Sequence, residues 1–493
     1  MAFALPDTSA LPRYPLIIGD SLVERGSGEA FAHIYPGNGQ CVAEVAGAGA
    51  ADVDAAVSAA RAAQPAWAAL PGDARRDLLL QLAASLKQHA GELALLETLG
   101  NGSPVMMAGY APIVAAQRFE YYAGWADKIR GQTLQAWNGP AHNYVDYAPY
   151  GVVGAVIPWN GPLFAAAMVM GPVLAAGNCI VIKAPELAPY SVMRLGELFL
   201  EAGFPPGVVN VLAGGPEVGA AIVGHADVDK VQFVGSGATA RKVLASAAAN
   251  LTPCCLELGG KSAVIVFDDA DLARAGQMGL SGAISVSGQG CVNGTRLLVQ
   301  RGIYEQYLGV MQQIAARITV GDPLDAGTVM GPVISEAAVQ RILGSVEQAR
   351  DAGARVLTGG TRLDGDYAEG FFLPLTVIAD VAHDSDLAQH EVFGPVLSVT
   401  PFDTEEEAIH LANDCDYGLG AYIHTSDLRR AHHVAGHMQA GMVHVNASGE
   451  GMQPFAPFGG MKQSGFGRLG GEQGLLEFLQ ARNVWMNLKP AQA

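Results

Sequence analysis

Cys291 closes the glycine-rich stretch Gly288-Gln289-Gly290-Cys291, and Glu257 opens Glu257-Leu258-Gly259-Gly260-Lys261 a short way upstream. A thiol in a tight glycine turn, between an apolar run (Met278 to Val286) and a strand-like one (Thr295 to Gln300), is placed to be exposed and reactive. A carboxylate set between apolar residues is a candidate for the base that thiol chemistry needs. Neither signal is specific alone, because a lone cysteine in an apolar chain is more often a small buried hydrophobe. Three further stretches accompany them: Pro158-Trp159-Asn160, Glu391-Val392-Phe393-Gly394-Pro395 and Pro457-Phe458-Gly459-Gly460-Met461-Lys462-Gln463-Ser464-Gly465.

These residues need elements to carry them. Strand-like runs at Val152 to Ile157, Cys179 to Ile182, Val208 to Leu212, Lys230 to Val234 and Cys254 to Leu258 alternate with helical stretches. That is the pattern of a parallel, doubly wound sheet, which binds ligands outside the carboxyl ends of its strands. A second alternation follows Gly259-Gly260, which reads as the hinge between two domains. Its strands are Ser262 to Phe267, Leu297 to Gln300, Thr376 to Ile378, Val396 to Phe402 and Met442 to Val445. Its helices are Leu272 to Val286, Tyr304 to Arg317 and Ala337 to Asp351. Upstream, residues 13 to 46 read as short strands and turns, and Asp52 to Trp67 and Asp73 to His89 as helices. Residues 142 to 150 read as a polar, Tyr-rich arm outside the main core, and Val484 to Leu488 as a strand pairing outside its own domain.

The chain has 493 residues, 50% of them apolar and 15% charged, which suits a large, well-buried α/β protein. A net charge of −18 disfavours nucleic acid and anionic membrane as partners. Six scattered cysteines point to a reducing cytoplasm rather than a disulfide framework, and no metal-ligand spacing is visible. Met1 to Leu11 lacks the basic and apolar regions of a signal peptide. Pro162 to Ile182 has the length of a membrane span, but Gly171-Pro172 and Gly177-Asn178 interrupt it. A buried helix (Leu163 to Ala176) followed by a strand (Cys179 to Lys183) is the better reading.

Taken in order, Pro158-Trp159-Asn160, Lys183 with Glu186, Gly235-Ser236 and the stretches around Glu257, Cys291, Glu391 and Phe458 follow the motifs of the NAD(P)-dependent aldehyde dehydrogenase superfamily. The chain resembles that superfamily over essentially its whole length. The resemblance implies an α/β fold with a doubly wound, parallel-sheet NAD-binding domain (1–258), a small β oligomerisation arm (130–150 within it), an α/β catalytic domain (259–450) and a return segment with a C-terminal oligomerisation strand (451–493). It also implies a homodimer or homotetramer.

By the same resemblance, Cys291 would attack the aldehyde as a thiolate and Glu257 would activate the water that hydrolyses the thioester, giving a free carboxylic acid. Asn160 would donate its amide to the oxyanion with the backbone N–H of Cys291, a donor worth roughly 3 kcal/mol. Ile157 and Trp159 are implied cofactor contacts, Glu391 and Phe393 would hold the nicotinamide riboside and ring, and Gly235-Ser236 would meet the pyrophosphate. Lys183 and Glu186 would hold the adenosine ribose. A carboxylate at Glu186 repels a 2′-phosphate, which favours NAD over NADP. The chain departs from the superfamily in carrying Val286 and Val169 where Asn and Lys are usual, Ala240 where Gly is usual, and Lys-Ala-Pro-Glu at 183–186.

The tunnel positions implied are Gly161, Ala165, Met168, Gly290, Met452, Phe455 and Phe458. Two glycines and an alanine would leave room, and the methionines and Phe455 would make it apolar, suiting an aromatic or medium-chain aldehyde. A semialdehyde substrate is the alternative and calls for a basic side chain to hold its distal carboxylate; none stands beside the motif loops. Transfer of the acyl group to coenzyme A is disfavoured by Glu257. A catalytically silent structural or binding relative is disfavoured because Asn160, Glu257 and Cys291 are all present.

Overall fold

A computed structural model describes residues 14–137, 140–447 and 452–488; Met1 to Leu11 and residue 451 of the return segment lie outside the described residues. The largest sheet has eight strands. Its middle five are parallel, in the order Val209–Ala213, Cys179–Ala184, Val152–Val156, Lys230–Val234, Cys254–Glu257. The chain winds outward from Val152–Val156 in one direction and then returns to wind in the other. The crevice at this reversal lies between Val152–Val156 and Lys230–Val234, the place where a doubly wound sheet receives a ligand. Short antiparallel strands close both edges: Leu16–Ile18 with Ser21–Val23 on one side and Gly465–Phe466 on the other.

The chain leaves this sheet at Glu257 and enters a second one at Ser262. The second sheet runs Arg355–Thr358, Thr376–Ala379, Val396–Phe402, Gly294–Gln300, Ser262–Val266, Gly420–His424, Met442–Val445, parallel throughout except at its first strand. A third, antiparallel sheet pairs Leu479–Asn487 with Ala141–Pro149, which also pairs with Gln132–Leu134. The final strand is thus longer than the five residues its sequence suggests, and its partner is the Tyr-rich segment.

The long apolar run forms the helix Pro162–Ala175 and the buried strand Cys179–Ala184. Proline at the first helical position is pre-set for a helix start, and the Ala, Met and Leu residues that follow favour its continuation. The helix stops at Gly177, whose φ of +88° lets its N–H reach the Leu174 carbonyl (3.1 Å) while Asn178 N–H reaches Val173 (3.1 Å). Asn178 then accepts from Gly151 N–H and donates to the carbonyls of Val173 and Phe478, joining helix, strand and the approach to the third sheet. Among the described residues no helix is long and apolar enough to cross a membrane.

The helix expected over Leu272 to Val286 ends instead at Ile284, and Val286 (φ 49°, ψ 38°) and Ser287 (φ 52°, ψ 41°) are left-handed. Helical periodicity continues through these residues, but the chain must reverse here to bring Gln289 and Cys291 to the crevice.

At Gly177 a Cβ would meet its nearest neighbour, Ala68 Cα, at 3.5 Å, so space is not the constraint there. Gly177→Ala is therefore expected to destabilise the protein by about 1–2 kcal/mol through backbone conformation alone. Denaturant unfolding checks this, and an unchanged midpoint would show that the turn relaxes without cost.

Candidate active site

Every motif from the first half of the chain sits at a carboxyl end of the eight-stranded sheet. Ile157 to Asn160 follow Val152–Val156, Glu186 follows Cys179–Ala184, Gly235-Ser236 follow Lys230–Val234, and Glu257 ends its own strand. Two polar residues on the helix Ala90–Asn101 fix the first of these loops. Asn101 Nδ2 donates to the carbonyls of Trp159 (3.4 Å) and Asn160 (3.3 Å). Glu97, fully buried, accepts the Leu163 N–H (3.0 Å) at the start of the next helix. Sequence reasoning missed both, because a polar residue on an apolar helix has no local signature of what it holds.

Asn160 Nδ2 donates to the Gln289 carbonyl at 2.7 Å, so the oxyanion candidate and the nucleophile loop are joined directly. An amide nitrogen carries two protons, so one can anchor Asn160 while the other faces a substrate oxygen. The nucleophile loop is held hard. Gln289, buried, donates from its backbone N–H and its side chain to the Val286 carbonyl (both 3.0 Å) and accepts from Ile334 N–H. Ser287 Oγ donates to the Gly331 carbonyl (2.8 Å). These bonds keep a β-branched residue, Val286, in a left-handed conformation, a strain of about 1–3 kcal/mol of the kind that persists where surroundings over-determine it. Gly290 provides no room for substrate, contrary to expectation. A Cβ there would lie 2.6 Å from Asn293 Oδ1, so the Asn293 amide already fills that space.

Cys291 is partly buried, and burial, then the carboxylates of Glu391 and Glu257, push its thiol up to about 12. Val292, next along, has its carbonyl fixed by Tyr422 Oη (2.7 Å). Glu257 is 2% exposed and neither carboxylate oxygen has a hydrogen-bond partner. Burial raises its pKa well above the ordinary value, opposed by the nearby Arg468 guanidinium. Glu391 accepts from Gly260 N–H (3.2 Å) and burial lifts its carboxyl to about 7. Cys41, Cys179, Cys254, Cys255 and Cys415 are also free thiols; burial raises those of Cys179 and Cys255.

The cofactor candidates line the same crevice. Lys183 Nζ and Glu186 Oε2 pair at 2.7 Å, the lysine buried and the glutamate 41% exposed, so the altered Ala-Pro order still brings them together. Ser236 caps the helix Gly237–Ala247 by accepting from Thr239 N–H (3.3 Å), and Ser236, Ala238 and Thr239 are exposed, leaving the first helical turn open to an anion. Ala240 is buried and accommodated. Phe393 (φ 51°) sets its ring edge-on to Trp159 at 5.5 Å between centroids. Arg341, another residue without a sequence signal, donates to the carbonyls of Val392 and Phe393. An ion pair with an exposed carboxylate, an open helix N-terminus and a pair of aromatic rings fit a dinucleotide.

Met168, Met452 and Phe458 line one small cavity, while Phe455, 64% exposed, is not among its lining residues. Ala165 is buried, and a Cβ at Gly161 would meet only Phe164 Cβ, at 3.9 Å. Val169 is fully buried, and its hydrocarbon side chain has no group that could relay a proton at that position. Arg118, from the helix Tyr110–Ala126, lines the same cavity as Met168 and Phe458. It escaped notice because it lies far upstream of the loops that carry the motifs.

Residues 22–484 match the profile of the Aldehyde dehydrogenase family. A putative aldehyde dehydrogenase, DhaS, of Bacillus subtilis (strain 168) is 38% identical over 478 residues, 96% of each chain. An aldehyde dehydrogenase of Emericella nidulans is 40% identical over 479 residues, 97% of this chain and 95% of that one. Among solved structures, a putative aldehyde dehydrogenase from Burkholderia cenocepacia superposes with a TM-score of 0.94 at 39% identity, covering 97% of this chain and 99% of that one. Betaine aldehyde dehydrogenase from Staphylococcus aureus, in complex with NAD+, superposes with a TM-score of 0.95 at 35% identity, covering 97% and 96%. The motifs, the two parallel sheets and these likenesses agree, and the chain belongs to the aldehyde dehydrogenase family.

Proposed function

We propose that the chain oxidises an aldehyde with an apolar carbon body, aromatic or medium-chain, to its carboxylic acid, using NAD and water. The observation that carries this reading is the Asn160 amide bound to the Gln289 carbonyl, which fixes an oxyanion donor beside the Cys291 thiol. The Cys291 sulfur adds to the carbonyl carbon, and the carbonyl electron pair moves onto the oxygen, where Asn160 Nδ2 and the Cys291 N–H stabilise it. NAD, when bound along Glu186, Ser236 and Glu391, supplies the acceptor for the hydride of that carbon. With the hydride gone the oxygen re-forms its double bond, leaving an acyl thioester on Cys291. Glu257 takes a proton from water as the water adds to this thioester, the C–S bond breaks, and the acid leaves with the thiolate restored. Burial is what raises the pKa of Glu257, so water reaching it also favours the carboxylate that acts as base. NAD is favoured over NADP by the Glu186 charge and by the NAD+ complex of the Staphylococcus aureus relative. The eight-stranded sheet is read as the cofactor domain and the seven-stranded sheet as the catalytic one. The third sheet, which exposes Leu134, Trp485 and Met486, is read as the contact of a homo-oligomer in the cytoplasm.

Glu257→Gln is expected to give an NADH burst near one equivalent per active site and then slow turnover, whereas Cys291→Ala gives neither and Cys255→Ala gives both phases normally. An unchanged steady state in Glu257→Gln would remove its role as base. A CoA-acylating enzyme would instead need coenzyme A for turnover, and a silent relative would show no burst.

The thiol's ionisation has a definite sign. Its folded pKa is raised, so alkylation of Cys291 in the free enzyme should climb about tenfold per pH unit through pH 7–10. Removing a neighbouring negative charge favours thiolate, so Glu391→Gln should speed alkylation severalfold at pH 8. Site-resolved mass spectrometry with iodoacetamide reads this; slower alkylation would mean that Glu391 assists ionisation.

For straight-chain aldehydes kcat/KM should rise about threefold to fourfold per added carbon, from ~0.8 kcal/mol per buried methylene, until the pocket is full. Gly161→Phe should shorten the longest chain accepted, because only Phe164 borders the space at Gly161. A flat series, or an unaltered preference in the variant, would show that Gly161 does not bound the pocket.

A further inference from the structure

Lys261 and Arg296 are two cations buried where the second sheet begins. Lys261 directly precedes the strand Ser262–Val266, and Arg296 lies on its neighbour Gly294–Gln300. Each is 2% exposed. Among the described residues no protein atom accepts a hydrogen bond from Lys261 Nζ, Arg296 Nε or Ser262 Oγ, and all three atoms are buried. The three residues line one small cavity, with Asn413 and Gln439 also on its wall. Acceptors near the cavity are already in use. The carbonyls of Leu411 and Ala412 accept from the other two nitrogens of Arg296 (2.7 and 2.8 Å), and those of Asn413 and Cys415 accept from Lys462 Nζ (2.5 and 3.1 Å). The Cys415 thiol donates to the Gln389 carbonyl (3.7 Å), so it is not a counter-ion. Glu391 and Asp386 act on Lys261 only through space, and its amine has no hydrogen-bonded carboxylate. Burial and the charge of Arg296 lower the Lys261 pKa to about 8, which leaves most of it protonated at neutral pH.

Two unpaired buried cations with three unmet donors are costly, and a negative charge that accepts from all three recovers that cost. A water molecule there would have to place two protons of its own, whereas a monatomic anion accepts from every side and needs no acceptor. Size narrows the class further. The cavity leaves room for a single particle about as large as a water molecule, too little for a carboxylate or a phosphate. Gln439 is exposed and Asn413 half-buried, so the cavity reaches solvent on their side. We propose that this cavity binds a small halide, chloride in a cell, between Lys261 Nζ, Arg296 Nε and Ser262 Oγ. The ion has a structural task. Lys261 follows Gly260, whose N–H holds Glu391 (3.2 Å), and Arg296 lies on the strand that follows Cys291. An anion that ties the two cations together steadies the seam where the Glu391 loop and the nucleophile loop meet. This inference is independent of which aldehyde the enzyme takes.

The test has a crystallographic arm and a solution arm, both on the full chain. Crystals grown without halide and soaked in sodium bromide, measured above and below the bromine absorption edge, should show an anomalous peak within hydrogen-bonding reach of Lys261 Nζ and Arg296 Nε. In solution, replacing sodium gluconate with sodium chloride at constant ionic strength should raise Tm saturably, by about 2–3 °C at a hundredfold excess over Kd. Gluconate is too large for the cavity and matches the screening. Lys261→Met should abolish both the peak and the Tm shift, and Ser262→Ala should weaken chloride binding severalfold while keeping the peak. The wild-type readings stand even if Lys261→Met does not fold. An ordered water with no anomalous signal, or equal Tm in the two salts, would overturn the inference. A bromide peak without a chloride-dependent Tm would mark an adventitious ion only and would overturn it as well. A full chloride response in folded Lys261→Met would place the ion elsewhere, with the same result.

Discussion

At Gly259, Gly260 and Gly288 the segment that joins the two parallel sheets and the loops that lead into the second approach one another so closely that nothing larger than hydrogen fits on the Cα. A Cβ on Gly259 would lie 2.1 Å from Glu391 Oε2, one on Gly260 2.9 Å from the Cys291 carbonyl oxygen, and one on Gly288 2.0 Å from the Gly394 carbonyl oxygen. Each is a contact between a segment that ends one sheet or begins the other and a loop that carries a reactive group. The close approach is what lets Glu257 end the first sheet, Cys291 arrive from the second, and both share a crevice with Glu391. Any side chain there would push apart groups whose chemistry needs angstrom-level placement.

Crowding acid groups into so little water has an electrostatic consequence. Glu257, Glu391 and Cys291 are each driven toward their neutral forms by burial, and the two carboxylates further disfavour the thiolate. A site with fewer charges is easier to fold, since an unpaired buried anion is costly. The same neutrality means that reactivity has to be switched on by what enters the crevice, through water, a cofactor charge or a movement of Glu391. Asn160, anchored by Asn101 behind and Gln289 in front, needs no such adjustment. The site therefore combines a fixed amide with acid groups whose charge depends on occupancy.

Much of this was legible in the sequence for a physical reason. Short strand-like apolar runs that lead into Asn160, Glu186, Gly235 and Glu257 put those residues at strand ends, and a parallel sheet gathers its strand ends on one edge. The residues that escaped act across the fold. Glu97, Asn101 and Arg118 lie on helices whose apolar spacing says which face is buried but not which loop that face meets. Gly290 misled because a glycine reads as empty space until the Asn293 amide is seen filling it. Val286 misled in the opposite direction: its helical spacing is good, and only tertiary hydrogen bonds from Gln289 turn it left-handed.

The first sheet has a consequence for the timing of folding. Its edge strand Cys254–Glu257 pairs with Gly465–Phe466, and Ser464 Oγ donates to the Gly259 carbonyl across 205 residues of chain. On a ribosome adding about 5–20 residues per second, the Cys254–Glu257 edge waits roughly 10–40 s for its partner. Until then the carboxyl end of that strand, with Glu257 on it, is an open edge able to pair with another nascent chain. Folding of the first sheet is thus completed by a segment about 205 residues downstream, and the crevice takes its final shape only after that segment has been made.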